Sequence, residues 1–353
     1  MNRFYRTFFA ENPNQASELT LFAFGKHPGW NDHVEGLGLH NDTLAFCHSV
    51  FYVKGIRAVI DSGVWEKTDP VKVLPEFGNT ILWQGRRAFI VGRLWPSRDG
   101  MGRAKYPMIV GMYGGGVSIL QAGPLIFPVL EGLEKECRKV KSAEEVQTII
   151  RKAGENLRQD FGTLSGASVV PPMDAEDYQS LFQNSKMASS EEGWNRLFYT
   201  FRNQFSSFSR ETFNPKTAEE QGGQSMRLPL LQDSPEQGLM DWLRFLRPEI
   251  DPMVPIFLTA PHDRDWVDVI IGEPGPSDFS CLKLNKEGIP AIDQVPYNIP
   301  ESFQRYTQSC IRQWKETGTS ETGIFFSGLE NGNSGNASNK GPGHWIRSLF
   351  GKD

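Results

Sequence analysis

The chain has 353 residues, of which 39% are hydrophobic, 12% aromatic and 22% charged, and its formal net charge is -5. At about 150 residues per domain, this length predicts roughly two domains or one large domain with insertions. A mildly acidic chain without blocks of Lys and Arg is a poor candidate for nucleic-acid binding, because contacts to phosphates need clustered cations. Nucleic acid is therefore excluded from the expected partners.

Cysteine usage and hydropathy favour a reducing, aqueous compartment. The chain has 4 cysteines. They form no CxxC pair and are too sparse for a disulfide framework. The first 19 residues interleave Arg and Glu among their phenylalanines and lack the continuous apolar core of a signal peptide. No stretch approaches the roughly 18 uncharged apolar residues of a membrane span. We therefore expect a cytoplasmic protein, with membrane association disfavoured.

The first 116 residues predict a strand, a helix and then three further strands. Asn41 and Asp42 offer an N-cap to the helix, and Gly63 ends it. Consecutive strands with short connections favour antiparallel pairing, so the expected fold is of the α+β type, an antiparallel sheet flanked by helices. The strands are expected at Thr20–Phe24, Thr80–Trp83, Ala88–Trp95 and Pro107–Tyr113.

The second half predicts mainly helices, with one pair of strands. An aromatic stripe from 194 to 208 keeps helical spacing and indicates a helix that faces the core. Residues 214–224 are polar and predict an exposed loop, and the strands are expected at Val254–Thr259 and Trp266–Ile271. The helices are expected from Pro128, from the capping boxes Ser142–Glu145 and Ser189–Glu192, from Ser234–Pro235, and over Glu301–Lys315.

The C-terminal region changes in composition. Residues 331–343 are rich in Gly, Asn and Ser and predict a disordered tail, because they cannot bury enough apolar surface to become ordered. The predicted organisation is an N-terminal extension (1–19), an α/β domain (20–127), a helix-rich part packed on the same fold (128–316), a flexible linker (317–343) and an amphipathic peptide (344–353).

The last ten residues carry a candidate docking peptide. Trp345, Ile346, Leu349 and Phe350 would share one side of a short helix. Such a tip on a tether is typical of peptides that bind a partner. The alternatives are that it folds back onto its own domain or stays without structure, because a ten-residue helix is marginal alone.

The sequence offers no clear signature of catalysis. His27, His33, His40 and His48 cluster near several carboxylates, yet they form no HExxH motif and no pair of ligands one helical turn apart. No GxSxG, SxxK, Walker A or GxGxxG pattern is present either. We therefore expect no catalytic residue, metal or cofactor. The alternative is a metal-dependent or other enzyme that uses the region from His27 to His48.

Two segments carry most of the distinctive residues. The first, 25–33, is GKHPGWNDH, a Gly- and Pro-restricted loop directly after the first strand. The second lies between Pro96 and Pro107 and joins two strands. Asp99 and Arg103 are placed to pair across its turn, which would pin the loop. Such a loop is either a rigid connection or a recognition surface.

These segments resemble the TagF (ImpM, SciE) family of type VI secretion accessory proteins, as a divergent member. Gly25, Lys26, Pro28 and Asp32 match the family's first signature. The second signature is matched by Pro96, Ser97, Asp99, Gly102, Arg103, Tyr106 and Pro107. The resemblance is confined to about residues 20–116, with a looser likeness over 254–284.

The resemblance implies a non-catalytic cytoplasmic bacterial protein that represses type VI secretion after translation. It implies binding to a forkhead-associated-domain component of a phospho-signalling system. The candidate binding residues in the two loops are Lys26, Trp30, Asp32, Ser97, Asp99, Arg103 and Tyr106. A membrane-associated adaptor that uses the C-terminal tip is the remaining alternative.

Overall fold

The computed structural model describes residues 18–86, 88–161, 173–184, 191–295 and 297–319, and it confirms the predicted α+β class. The described strands form one sheet in which every pairing is antiparallel, in the order β2-β1-β5-β4-β3-β7-β8-β6. The strands are β1 (Glu18–Lys26), β2 (His33–Leu37), β3 (Asn79–Gln84), β4 (Ala88–Pro96), β5 (Pro107–Gly115), β6 (Gln224–Pro229), β7 (Ile256–Pro261) and β8 (Trp266–Ile271).

The pairing of β3 with β7 joins the two halves of the chain in one sheet. Its register runs from Asn79 opposite Pro261 to Gln84 opposite Ile256. Both strands are buried along their whole length. The part from 128 to 316, expected to pack on the N-terminal unit, therefore also supplies three strands of the same sheet.

Helices cover both faces of the sheet. Ile81 and Trp83 of β3 belong to one buried cluster and Leu82 belongs to the other, because successive strand residues point to opposite faces. The described helices are α1 (Asp42–Cys47), α2 (Ala58–Asp61), α3 (Val64–Lys67), α4 (Ile119–Cys137), α5 (Ala143–Phe161), α6 (Ala175–Asn184), α7 (Glu191–Phe205), α8 (Pro215–Gln221), α9 (Pro235–Leu246) and α10 (Glu301–Thr317).

The helix predicted after Asn41 is present, but its central part is a π-helix rather than an α-helix. Asn41 caps it by accepting a hydrogen bond from the Leu44 backbone N–H at 2.8 Å. Between α1 and α2 the backbone is π-helical over His48–Arg57. By length and composition alone, the helical stretch Asp42–Lys67 is long and apolar enough to cross a membrane. Half of its most apolar 18-residue window is buried inside the fold, as core helices often are. Every window of 18 residues in this stretch contains Lys54 and Arg57, so the stretch does not contradict the expectation about uncharged apolar runs.

Several other predicted helices are confirmed. Ser142 and Glu145 form the expected capping box at the start of α5. Ser234 caps α9 by accepting a hydrogen bond from the Gln237 N–H at 3.3 Å. The aromatic stripe of α7 is buried against the core, including Phe198 and Phe201. Ser189, most of the linker 317–343 and the peptide 344–353 lie outside the described residues.

Two expectations are corrected, and one strand was missed. Residues 214–224 are not a loop, because Asn214 caps α8 by accepting a hydrogen bond from the Lys216 N–H at 2.9 Å, and β6 then begins. Helix α4 begins at Ile119, not at Pro128, and contains Pro124 and Pro128. Burial of its apolar face offsets the helix-breaking tendency of proline. Strand β2 was not predicted, because it is a five-residue edge strand with a bulge in its pairing.

A buried ion pair holds the far edge of the sheet. Arg227 of β6 lies directly opposite Asp268 of β8, and its Nε and Nη2 atoms each donate to that carboxylate at 2.8 Å. The guanidinium also donates to the carbonyl oxygens of Ile289 and Leu284. It lies 4.5 Å from the ring centroid of Trp266. Burial raises the pKa of Asp268, so its ionised form depends on Arg227.

We predict that Arg227→Met lowers the free energy of unfolding by about 3–5 kcal/mol, because it leaves a buried carboxylate without its cation. The matched control is Arg264→Met in the exposed turn between β7 and β8, which should change stability by less than about 0.5 kcal/mol. Equilibrium denaturation by urea measures both. Equal stability of the two variants would contradict the assigned role.

Candidate functional site

The two distinctive loops meet at one end of the sheet. Strand β1 ends at Lys26, and its antiparallel pairing with β5 places Gly25 opposite Met108. Gly25 has a φ of 110°, and a Cβ atom there would lie 2.2 Å from the Pro107 carbonyl oxygen. Only glycine fits this position. The end of the first loop's strand thus lies against the end of the second loop.

A buried ion pair joins the loops. The Nζ atom of Lys26 lies 2.8 Å from Oδ2 of Asp99, and the two side chains are 2% and 0% exposed. The same ammonium lies 2.6 Å from Oδ1 of Asp32, whose side chain is 72% exposed. Lys26 therefore connects a buried carboxylate with one that faces solvent.

Asp99 also organises the turn of its own loop. Its Oδ1 atom accepts hydrogen bonds from the backbone N–H groups of Met101, at 3.0 Å, and Arg103, at 2.9 Å. Its Oδ2 atom accepts a hydrogen bond from Arg103 Nε at 2.7 Å, which confirms the predicted pairing across the turn. One carboxylate thus satisfies two backbone donors and two cations.

The second loop is also hydrogen-bonded directly to the first. Arg103 Nη2 donates to the Asn31 carbonyl oxygen at 2.6 Å, and the Gly100 N–H donates to the Trp30 carbonyl oxygen at 2.7 Å. A Cβ atom at Gly100 would lie 3.0 Å from the carbonyl oxygen of Pro28. The loops therefore form one unit, which we call the paired loops (residues 26–33 and 97–106).

The two carboxylates of the paired loops each lie beside Lys26 and Arg103. Removal from water raises the pKa of Asp99, but hydrogen bonds from Lys26 and Arg103 outweigh this and hold that pKa well below its usual range. Hydrogen bonds from Lys26 and His33 lower the pKa of Asp32. Both carboxylates are therefore ionised at neutral pH, where they pair with Lys26 and Arg103.

The structure separates the candidate binding residues into two groups. Lys26 and Asp99 are buried and paired with each other, so these two candidate binding residues lie beneath the surface of the loops. Asp32 and Arg103 are exposed, whereas Trp30, Ser97 and Tyr106 are half-buried. Trp30 packs against the core with its ring 5.6 Å from that of His27. The tip residues 345–350 lie outside the described residues.

Sequence reasoning missed several partners of the paired loops. The hydroxyl of Tyr106 donates to the Asp61 carboxylate, and Lys26 Nζ lies 5.7 Å from the Tyr106 ring centroid. The Asn31 carbonyl was also missed. Lys26 at the end of β1 and Asp99 shortly before β5 are opposite charges that could be predicted to pair. That prediction requires knowing that β1 and β5 are neighbours in the sheet.

The four N-terminal histidines do not share one site, although His33 and His48 both pack on the ring of Tyr52. His27 Nδ1 accepts a hydrogen bond from the Gly29 N–H at 3.0 Å, so Nε2 carries the proton and donates to the Cys137 carbonyl oxygen at 3.0 Å. His33 Nδ1 lies 3.0 Å from Asp32, while the His48 ring packs on Phe24. Among the described residues, no group of three or more His, Cys, Asp or Glu side chains is placed to hold a metal ion.

Comparison with known proteins adds no relative: no family model matches the chain, and no curated protein matches it.

We predict that Asp99→Asn lowers the melting temperature by several degrees. The amide oxygen can still accept the two backbone N–H bonds, but the amide NH2 group takes the place of Oδ2 and cannot accept from Lys26 or Arg103. The variant therefore removes the charge and these two hydrogen bonds together. The control is Asp263→Asn on an exposed hairpin tip, where no shift is expected. Thermal unfolding followed by circular dichroism compares them, and an unchanged midpoint for Asp99→Asn would contradict a structural role of the pair.

We also predict that acidification destabilises the protein partly through His27. Burial lowers the pKa of His27 more than its hydrogen bond to Cys137 raises it. The unfolded chain therefore binds this proton more readily, so stability is complete above about pH 6.5 and falls as the pH drops through the folded-state pKa. Between about pH 7.5 and 5.5, the melting temperature of His27→Asn should fall a few degrees less than that of the wild type.

The Asn side chain keeps an acceptor for the Gly29 N–H. The exposed His40→Asn serves as the control and should follow the wild type across the same pH range. An identical pH dependence for His27→Asn and wild type would show that His27 does not contribute.

Proposed function

We propose that the chain is a non-catalytic regulatory protein, similar to the TagF family, that acts in the cytoplasm by binding another protein. The observation that carries this proposal is the exposed tip of the second loop. Met101 is 70% exposed, and Arg98, Arg103 and Lys105 are exposed around it. An apolar tip with a basic surround is a surface that suits a protein partner.

The buried ion pair supports recognition by fixing the tip. Asp99 holds the backbone at Met101 and Arg103, and Arg103 holds the loop against Asn31. A loop already held in its binding conformation loses little entropy on association. In this proposal the buried residues determine the shape of the loop, and the exposed side chains make the contacts with the partner.

The proposed partner carries an acidic surface that faces the basic tip. From the resemblance of the motifs, we propose a forkhead-associated-domain component of a type VI secretion and phospho-signalling system, with binding that represses secretion.

The proposal is tested by immobilising the full chain and identifying what it captures from the cytoplasm of its host. We expect a secretion or phospho-signalling component, and we expect the double variant Arg98→Glu/Met101→Asp to lose it at least tenfold. The matched control is Val71→Asp, since Val71 is also strongly exposed, at 67%, on a different segment.

Two results would overturn the proposal. If the wild type captures no secretion or phospho-signalling component, the proposed role in type VI secretion is wrong. Equal capture by the tip variant and the wild type would remove the paired loops as the contact surface. Circular dichroism of each variant, expected to match the wild type, separates lost contacts from lost folding.

A further inference from the structure

A pocket of about 490 Å³, which we call the α10 pocket, lies between helices α6, α7 and α10. Its apolar wall includes Phe182 of α6, Trp194 of α7 and Ile311 of α10. The rings of Phe182 and Trp194 meet edge to face, with their centroids 4.6 Å apart. Pockets for small molecules usually measure about 300–1,000 Å³, so the α10 pocket has the size of such a site. Its aromatic wall suits a flat apolar group.

Two buried polar side chains in this wall lack a hydrogen-bond partner. Trp194 is 3% exposed and Asn195 is 5% exposed. The indole Nε1 of Trp194 is a donor and Oδ1 of Asn195 is an acceptor, and no described residue pairs with either atom. An unpaired buried polar group destabilises a fold, and native proteins contain few of them. Their place in the wall of a pocket indicates a ligand that supplies both an acceptor and a donor.

Two cations line the same pocket. Arg312 and Lys315 are three residues apart on α10, so helical spacing places them on one side of the helix. Arg312 is exposed and Lys315 is half-buried, and neither has an ion-pair partner among the described residues. The Nζ atom of Lys315 lies 5.8 Å from the ring centroid of Phe182. Glu316 is the one carboxylate among the described residues that line the pocket, so the pocket has a net positive charge and favours an anion.

These features together define a ligand with three parts. It has a flat apolar body for the aromatic wall, an edge that carries an acceptor and a donor, and an anionic group for the two cations. An aromatic acid lacks the second part, because its only polar group is the charged one. A nucleoside monophosphate has all three parts, since a base combines an apolar face with donors and acceptors on its Watson–Crick edge and the phosphate is anionic.

We propose that the α10 pocket binds a nucleoside monophosphate. The base lies against Phe182, while its edge accepts a hydrogen bond from Trp194 Nε1 and donates one to Asn195 Oδ1. The phosphate faces Arg312 and Lys315. Side chains of a helix, rather than the backbone of a glycine-rich loop, bind the phosphate, so this site needs neither a Walker A nor a GxGxxG pattern. Binding here is independent of the partner proposed for the paired loops.

The test titrates the full-length protein with AMP, GMP, CMP and UMP by isothermal titration calorimetry. We expect at least one of the four to bind with one site per chain and a Kd below about 100 µM. Ribose 5-phosphate, which lacks the base, and the nucleoside, which lacks the phosphate, should each bind at least tenfold more weakly.

Three substitutions test the assigned contacts. Trp194→Phe keeps an aromatic ring but removes the N–H donor, and it should weaken nucleotide binding at least tenfold. Arg312→Gln should weaken nucleotide binding at least tenfold and leave binding of the nucleoside unchanged, because it removes only a phosphate contact. The matched control is Arg305→Gln, which removes an exposed cation of the same helix that does not line the pocket and should leave binding unchanged.

The third substitution, Asn195→Leu, separates a ligand contact from a structural role. It replaces an unpaired buried amide by an apolar group of similar size, so the melting temperature of the ligand-free protein should equal or exceed that of the wild type. Nucleotide binding should nevertheless fall at least tenfold. A lower melting temperature for ligand-free Asn195→Leu would overturn the assignment, because the amide would then be needed by the fold itself.

Three binding results would also overturn the proposal. They are no saturable binding of any of the four nucleotides to the wild type, binding of ribose 5-phosphate as tight as that of the nucleotide, and unchanged nucleotide binding by Trp194→Phe. Circular dichroism of each variant, expected to match the wild type, separates lost contacts from lost folding.

Discussion

The contact between Lys26 and Asp99 sets the geometry from which the paired loops are built. Two charges removed from water require each other, since either alone would be strongly disfavoured in the interior. Asp99 is shared with the backbone of its own turn, and Lys26 closes the end of β1. The pair therefore links the conformation of the loop 97–106 to the pairing of β1 with β5. Through this link the sheet holds the loop tip in place.

Residues of the paired loops have different roles in this arrangement. Lys26 and Asp99 act inside, where their charges cancel, whereas Arg103 is 54% exposed and both holds the loop and presents a cation. Some residues of the motif are thus required for folding, while others of the same motif form part of the protein surface. The basic tip around Met101 is that surface, and its shape follows from buried residues that no partner touches.

Buried charge recurs at the opposite edge of the sheet with a different task. Arg227 and Asp268 pair directly across β6 and β8, and the guanidinium also holds the segment that contains Leu284 and Ile289. The pair of Lys26 and Asp99 orders the loop that precedes β5. Arg227, paired with Asp268, holds the segment after β8 against the edge strand β6. In both places hydrogen bonds to backbone carbonyl or N–H groups complete the polar environment.

The sequence by itself determined the elements whose signals are local: the hairpin of β3 and β4, the caps at Asn41, Ser142 and Ser234, and the pairing of Asp99 with Arg103. Spacing of apolar side chains and capping chemistry act within a few residues. Only the tertiary structure decided that β3 pairs with β7, that β2 and β6 are strands, and that α4 continues through two prolines. Burial against distant segments fixes these features. The same reason explains Lys26: whether it contacts solvent or Asp99 depends on which strands are neighbours.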